Sequence, residues 1–284
     1  MDKNLHFPKI REQNLLIKYN ADENWKMDKY DCHDMFEINY CLSDNIEFFV
    51  NDIIYPVTKG TVFVFNNSDI HRSISLDKSP YKRYVLHFNP EYIKDLCTHD
   101  TNLLDCFINR KPQFNHSIHL TGEQINRFIA LINKAQFYNV NKVYGQEIYE
   151  KIILSEILLF INPLYSNNIQ CCSSKSNKEF EKIQPVLQHI QFNIDSDLSL
   201  DSLSKDFYIN KYYLLSLFKK ATGFTITEYI IKRRIIKACE LLKKGLPVQQ
   251  VGEMAGFNNN SHFIRTFKKV VGKSPKQYAK QFYS

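Results

Sequence analysis

No apolar run in this chain is long enough to cross a bilayer. The longest, near Ile152–Ile161, is broken by Ser155 and Glu156 and falls short of the roughly 20 residues a spanning helix needs. The opening Met1-Asp-Lys-Asn-Leu-His6 holds none of the apolar core of a secretory signal. The seven cysteines form an odd set without the paired spacing of zinc ligands. Adjacent Cys171 and Cys172 read as linker thiols, with a redox sensor as the alternative. These absences argue against membrane-spanning, secreted and zinc-finger classes and make the cytoplasm the expected compartment. Acidic residues are also scarce in one place. From Phe180 onward seventeen Lys/Arg stand against eight Asp/Glu, a net +9, while residues 1–179 carry twenty against twenty-two, a net −2. Basic charge confined to one end is the footprint of a nucleic-acid-binding domain beside a neutral partner domain.

What is present fills that outline. A chain of 284 residues, 44% hydrophobic and 24% charged, has room for two domains with real cores. Its basic end says the same thing twice. Phe218-Lys219-Lys220 is followed by Gly223, Thr225 and Tyr229; Phe267-Lys268-Lys269 is followed at the same spacings by Gly272, Ser274 and Tyr278. The offset of 49 residues also sets Tyr208 on Phe257, Asn210 on Asn259, Tyr212 on Ser261 and Leu214 on Phe263. Two copies are too few for a solenoid and fit two similar modules in one compact domain.

Each module reads as two short helices and a tight turn. In the second, Pro247 opens a helix carrying Val248, Val251 and Ala255, and Gly256 closes it. After Asn258-Asn259-Asn260 a second helix, capped by an Asn or Ser261, bears Phe263, Phe267 and Val270 and stops near Gly272. In the first, Leu200, Leu203 and Phe207 precede a turn at Tyr208-Ile209-Asn210; Leu214, Leu217, Phe218 and Ala221 follow, closed by Gly223 but without the turn glycine. This is the helix-turn-helix signature. At about 100° per residue the faces opposite the apolar stripes carry Tyr212, Ser216 and Lys219 with Leu215 at the edge, and Ser261, Arg265 and Lys268 with Ile264 at the edge. Arg265 suits a bidentate contact to guanine O6 and N7, and the lysines suit phosphate. A solvated helix face is the plainer reading of each alone; the duplication argues against it. With Lys211 and Asn260, these residues make the expected DNA-contacting set. Between the modules, within Thr225–Lys244, roughly eighteen residues of spacer helix would span roughly 27 Å, close to one turn of duplex, about 34 Å.

The other half of the chain changes period. Phe36, Ile38, Tyr40 and Leu42 alternate with Glu37, Asn39 and Cys41. Short runs at Ile46–Val50, Ile53–Val57 and Thr61–Phe65 follow, then a longer one at Tyr81–Phe88, with turn residues Asn51-Asp52 and Lys59-Gly60 between. Closely spaced short strands from about Leu15 to Phe88 predict an antiparallel barrel or sandwich. Helical stripes come next: Ile125, Phe128, Ile129 and Ile132 behind a Thr121 cap, then Ile148, Ile152, Ile153, Ile157, Leu158 and Ile161. The second is apolar on more of its circumference than one contact needs, which fits a dimer interface, with burial against its own barrel as the alternative. Ser- and Asn-rich residues 166–179 read as a linker.

The segment from about Phe180 to the end resembles the DNA-binding domain of the AraC/XylS family of bacterial transcription regulators. The likeness is densest in Ile231–Leu242, Val251–Phe257 and Ser261–Tyr278. It implies base-reading helices at Asn210–Ala221 and Asn259–Val270 and an internal packing role for Arg234. This chain has Leu215 and Ser216 where the family commonly shows polar or arginine side chains, so the first module would read thymine methyls or hold the backbone. The N-terminal half, with His33–Glu37, Pro56–Gly60 and His71, resembles the family's cupin-like barrel. His33, Glu37 and His71 would then line an effector pocket, hold a divalent ion as in metal cupins, or pack the barrel rim; Asp31 stands where metal cupins show a second histidine. Trp25, Tyr40, Tyr55 and His87 are further pocket candidates.

The expected fold is thus an α+β pair. Residues 1–165 form an antiparallel cupin-like β-barrel with a helical dimerisation segment from about 121 to 165. Residues 180–284 form an all-α domain with two helix-turn-helix modules. The expected protein is a homodimeric, sequence-specific regulator of double-stranded DNA, responsive to a small molecule with a sugar as the first candidate, meeting RNA polymerase if it activates. It needs no cofactor, no metal and no membrane and is not an enzyme. A metal-dependent cupin enzyme with a DNA-binding tail and a regulator without effector are the alternatives.

Overall fold

A computed structural model of the chain describes residues 14–27, 35–51, 53–67, 69–110, 115–141, 143–167, 175–176 and 178–280. Backbone contacts divide the chain into two compact units, Arg11–Ser176 and a second containing Asn177–Ser284. No helix among the described residues is long and apolar enough to cross a membrane.

The first unit is built on antiparallel strands. β1 (Leu15–Asp22), β7 (Tyr81–Phe88), β2 (Phe36–Cys41), β5 (Thr61–Phe65) and β8 (Ser117–His119) lie side by side in that order in one sheet. β6 (His71–Ser75), β3 (Ile46–Val50), β4 (Ile53–Val57) and β9 (Lys175–Ser176) form the other. The antiparallel unit expected from the alternation is therefore present, but its hydrogen bonding runs as two sheets, not as one closed barrel ladder. Aromatic rings pack between them: Phe48 stacks on Phe63 at 4.4 Å, and Tyr55 and Tyr81 meet this pair edge-on. All six residues of β2 are buried because both its faces are covered. Glu37, Asn39 and Cys41 look between the sheets, while Phe36, Ile38 and Tyr40 join a second core beneath the helices.

Those helices are α1 (Asp105–Ile108), α2 (Glu123–Val140) and α3 (Gln146–Asn167). α2 buries Phe128, Ile132 and Ala135 at helical spacing. Thr121 is not its cap. Gly122 intervenes with φ +50°, and the Thr121 amide instead donates to Gln124 Oε1 at 3.1 Å. α3 runs to Asn167, past Pro163 and past the expected start of the linker at 166. Its inner face buries Ile153, Leu154, Ile157, Leu158 and Ile161, while Ile148, Ile152 and Leu159 are exposed.

The second unit is all helix: α4 (Lys178–Phe192), α5 (Leu200–Asp206), α6 (Lys211–Thr222), α7 (Ile226–Lys243), α8 (Val248–Met254), α9 (Asn260–Val271) and α10 (Pro275–Lys280). The duplication is geometric as well as textual. Gly223 and Gly272 end α6 and α9 with left-handed φ of 76° and 84°, a region that glycine enters at no steric cost. Thr225 and Glu228 form a capping box at the start of α7, and Ser274 and Gln277 exchange the same pair of bonds before α10. Tyr229 then lies 5.6 Å from Phe218, and Tyr278 lies 5.6 Å from Phe267. One side of α7 packs with α8, α9 and α10 around Ile235, Leu242, Val251 and Phe263.

Candidate functional site

Both helix-turn-helix modules hold their second helix by burying one face and leaving the other in water. In α6, Leu214, Leu217, Phe218 and Ala221 are buried, whereas Lys211, Tyr212, Ser216 and Lys219 are exposed and Leu215 is half-buried. In α9, Phe263 and Phe267 are buried, whereas Asn260, Ser261, Ile264, Arg265 and Lys268 are exposed. Each helix begins the same way: Asn210 Oδ1 accepts from the amides of Tyr212 and Tyr213, and Asn259 Oδ1 accepts from His262. The second module is tightly closed. A Cβ on Gly252 of α8 would come within 2.9 Å of the Phe263 ring, so that helix crossing needs glycine. Arg265 lies along its own helix, its Nε donating to Ser261 O at 3.3 Å. Lys211 pairs with Asp201 of α5, and Lys220 pairs with Glu179 of α4.

Arg234 of α7 is half-buried and packs within its own unit, the role the resemblance implied. Its Nε donates to Ile194 O at 3.1 Å and Nη2 to Ser196 O at 2.9 Å, with the guanidinium over the Phe257 ring at 5.9 Å. It therefore ties the loop before α5 to the turn between α8 and α9.

A second polar centre lies between the sheets of the first unit. Glu37 on β2 faces His87 on β7, its register partner, with Oε2 3.1 Å from His87 Nε2 and 3.6 Å from Nε2 of His71 on β6. Asn39 donates to Glu37 Oε1, and the Tyr81 hydroxyl donates to Asn39 Oδ1. The His71 ring stacks flat on Phe65 at 4.0 Å. Trp25 adjoins this cluster through Tyr81; its Nε1 donates to Ser73 Oγ, and the Arg83 guanidinium lies 4.1 Å over its ring. Arg83 in turn pairs with Asp22 at 2.8 Å.

Known proteins resemble both units of the chain. Residues 203–281 match the family described as a helix-turn-helix domain, and residues 15–136 match the AraC-like ligand binding domain. The multiple antibiotic resistance protein MarA of Salmonella typhimurium is 31% identical over 106 residues, 37% of this chain and 84% of that protein. The chain belongs to the AraC family of transcriptional regulators. The HTH-type transcriptional activator RhaR of Mannheimia succiniciproducens is 23% identical over 258 residues, 88% of this chain and 86% of that protein. The HTH-type regulator YijO of Escherichia coli is 32% identical over 135 residues, which span 47% of this chain and only 46% of YijO.

Within this AraC-family frame the described residues among the sequence-derived pocket candidates sort into three groups. Glu37, His71, His87 and Trp25 come together between the sheets. Tyr40 does not: it is on the opposite face of β2, edge-on to Phe128 of α2 at 5.1 Å, because strand residues alternate faces. Tyr55 belongs to a different set, its hydroxyl 3.3 Å from His116 Nδ1. His33 lies outside the described residues, as do Cys171 and Cys172. Among the described residues, no group of three His, Cys, Asp or Glu side chains is placed to hold a metal ion.

The set around Tyr55 was missed by the sequence reading. Asp69, buried before β6, receives Arg110 Nη1 at 2.6 Å on Oδ2 and has His116 Nε2 3.1 Å from Oδ1. Burial works to raise the Asp69 pKa, but the attraction of His116 and Arg110 and their hydrogen bonds outweigh it and hold the carboxyl well below the usual range. The Tyr165 hydroxyl of α3 lies 2.9 Å from the carbonyls of both Val62 and His116, fixing the helix to β5 and β8. Asp69 comes from the loop between β5 and β6, and Arg110 and His116 from the connection between α1 and β8, about forty residues further on.

Proposed function

We propose that this AraC-family chain is a sequence-specific regulator of transcription that grips double-stranded DNA with α6 and α9 and responds to a small molecule held between its sheets. The observation that carries the reading is the paired exposure of Tyr212, Ser216 and Lys219 on α6 and of Ser261, Arg265 and Lys268 on α9, on helices built alike. Their exposed lysines suit phosphate, and Arg265 supplies a guanidinium fork for a guanine edge. The net +9 of residues 180–284 supports the same reading. A gel-shift titration against the chain's own upstream region tests it. Arg265→Ala is expected to weaken the specific site by roughly 1–3 kcal/mol and to relax one base position. Equal loss on random duplex would reduce Arg265 to a phosphate contact.

The effector proposed is a carbohydrate. Glu37, Asn39, His71 and His87 are hydrogen-bonding groups buried with the rings of Phe65 and Tyr81, the chemistry that sugar hydroxyls and pyranose faces need. A ligand with higher affinity for one state of the regulator shifts its population by that difference alone. Thermal shifts across a sugar panel, abolished by Glu37→Gln, are the expected result; shifts from apolar acids alone would point elsewhere. The working assembly proposed is a cytoplasmic homodimer joined through the exposed Ile148, Ile152 and Leu159 of α3.

A further inference from the structure

The two reading helices offer DNA different chemistry. α9 presents Asn260, Ser261 and Arg265, groups that hydrogen-bond to base edges. α6 contains no Arg, Asn, Gln, Asp or Glu at all. Of its three lysines, Lys211 is engaged with Asp201 and Lys220 with Glu179, and Lys219 is exposed in the last turn, where a lysine suits phosphate and not a base edge. Asn210 spends its side chain as the cap. What α6 exposes around its first turn is aromatic and aliphatic: Tyr212 at 82%, Tyr213 at 52%, and the edge of Leu215.

The turn preceding α6 departs from its duplicate in the same direction. Position 257 of the second module is Phe257, 4% exposed and packed on Phe263 at 5.2 Å. The matching residue of the first module, Tyr208, is 96% exposed. The reason is a one-residue change in which backbone turns left-handed. In the second module Gly256 takes φ +85° and Phe257 swings inward. In the first, Phe207 packs on His189 at 5.4 Å, and Tyr208 itself takes φ +54° and is thrown into water. The first module thus carries three exposed tyrosines on the turn and first turn of α6, where the second has a buried ring.

We propose, resting on the regulator reading above, that α6 reads A·T pairs through their thymine methyl groups, with Tyr212 and Leu215 as its specificity-determining residues, while α9 reads guanine through Arg265. The thymine methyl is the one apolar feature of the major groove, and it is the feature an aromatic and aliphatic surface can recognise. The Tyr208 and Tyr213 hydroxyls, at the margin of that surface, are placed as donors for sugar-phosphate oxygens, which fix register without reading sequence. The binding site that follows is asymmetric: a half containing an essential guanine and a half specified by thymines.

The test uses the full chain. Duplexes bound from a randomised pool give the preferred site, and the positions relaxed in Arg265→Ala mark the half belonging to α9. Each thymine of the other half is then replaced by deoxyuridine, which removes only the methyl group. The expected loss is about three- to fivefold per contacted methyl, the scale of one buried methyl group. Leu215→Ala and Tyr212→Ala are expected to lose a similar factor on the thymine duplex and to become indifferent to uracil, while keeping the guanine preference of the α9 half, which reports that they fold. Equal affinity for thymine and uracil duplexes, or variants that still respond fully to uracil, would overturn the proposal while leaving the regulator reading intact. A pool from which no sequence is enriched would remove both.

Discussion

Asp69 is a residue whose protonation state the first unit depends on. Its carboxylate is 4% exposed and bonded to Arg110 and His116, and its folded pKa is depressed. A depressed carboxyl contributes stability that is complete above the unfolded value, about 3.9, and is lost as pH falls through the folded value. Asp69→Asn is therefore expected to cost roughly 3–5 kcal/mol near neutrality, because the largely buried Arg110 loses its carboxylate. The difference between variant and parent should shrink as urea titrations are moved below about pH 4. A penalty that is independent of pH would mean the network stabilises through shape and not charge. None of this was legible beforehand, since the three partners share no periodicity and meet only because the loop between β5 and β6 folds against the connection from α1 to β8. Glu37 and His87 were legible as polar residues in apolar strands, but their pairing needed the register of β2 with β7.

At Gly256 the backbone sets the outcome. Its φ of +85° is a conformation L side chains rarely adopt, and a Cβ there would also press on Arg234 Nε at 2.8 Å and on the carbonyl of Ile194. Gly256→Ala is expected to destabilise the helical unit by about 2 kcal/mol or more, read as a lowered denaturation midpoint by circular dichroism. An unchanged midpoint would show that the loop after α4 yields freely.

At the scale of elements, the helices of the second unit were readable because caps, glycine stops and apolar stripes all agree. The Phe–Lys–Lys repeat shows which faces of α6 and α9 correspond. The strands were less so. β6 is His-Arg-Ser-Ile-Ser, with one aliphatic residue in five, and β8 is only three residues long; neither carries the alternation that marked β2. The exchange at Tyr208 and Phe257 was hidden for a similar reason: aligned aromatics look equivalent until the backbone dihedrals are known. α3 presents a further element-scale consequence. Ile148, Ile152 and Leu159 are spaced by four and seven residues along its outer side and all are exposed, the pattern of a helix seam awaiting a partner helix. Ile152→Glu together with Leu159→Glu is expected to convert a dimer to a monomer in sedimentation while leaving the circular dichroism spectrum unchanged. A monomeric parent would contradict the assignment of that face.

At the scale of the whole molecule, the charge split and the change of hydrophobic period distinguish a sheet-rich part from a basic helical one, and backbone contacts divide the chain after Ser176. The nature of the effector was not legible, because a pocket is assembled from alternate residues of several strands whose register the sequence does not state. The central claim is that one chain places two helices in neighbouring major grooves of one duplex. Hydroxyl-radical footprinting of the full chain on its selected site tests this most directly. Two protected patches on one face of the DNA, about 10 base pairs apart, are expected, with Arg265→Ala weakening one of them. A single patch, or two patches on opposite faces, would contradict it.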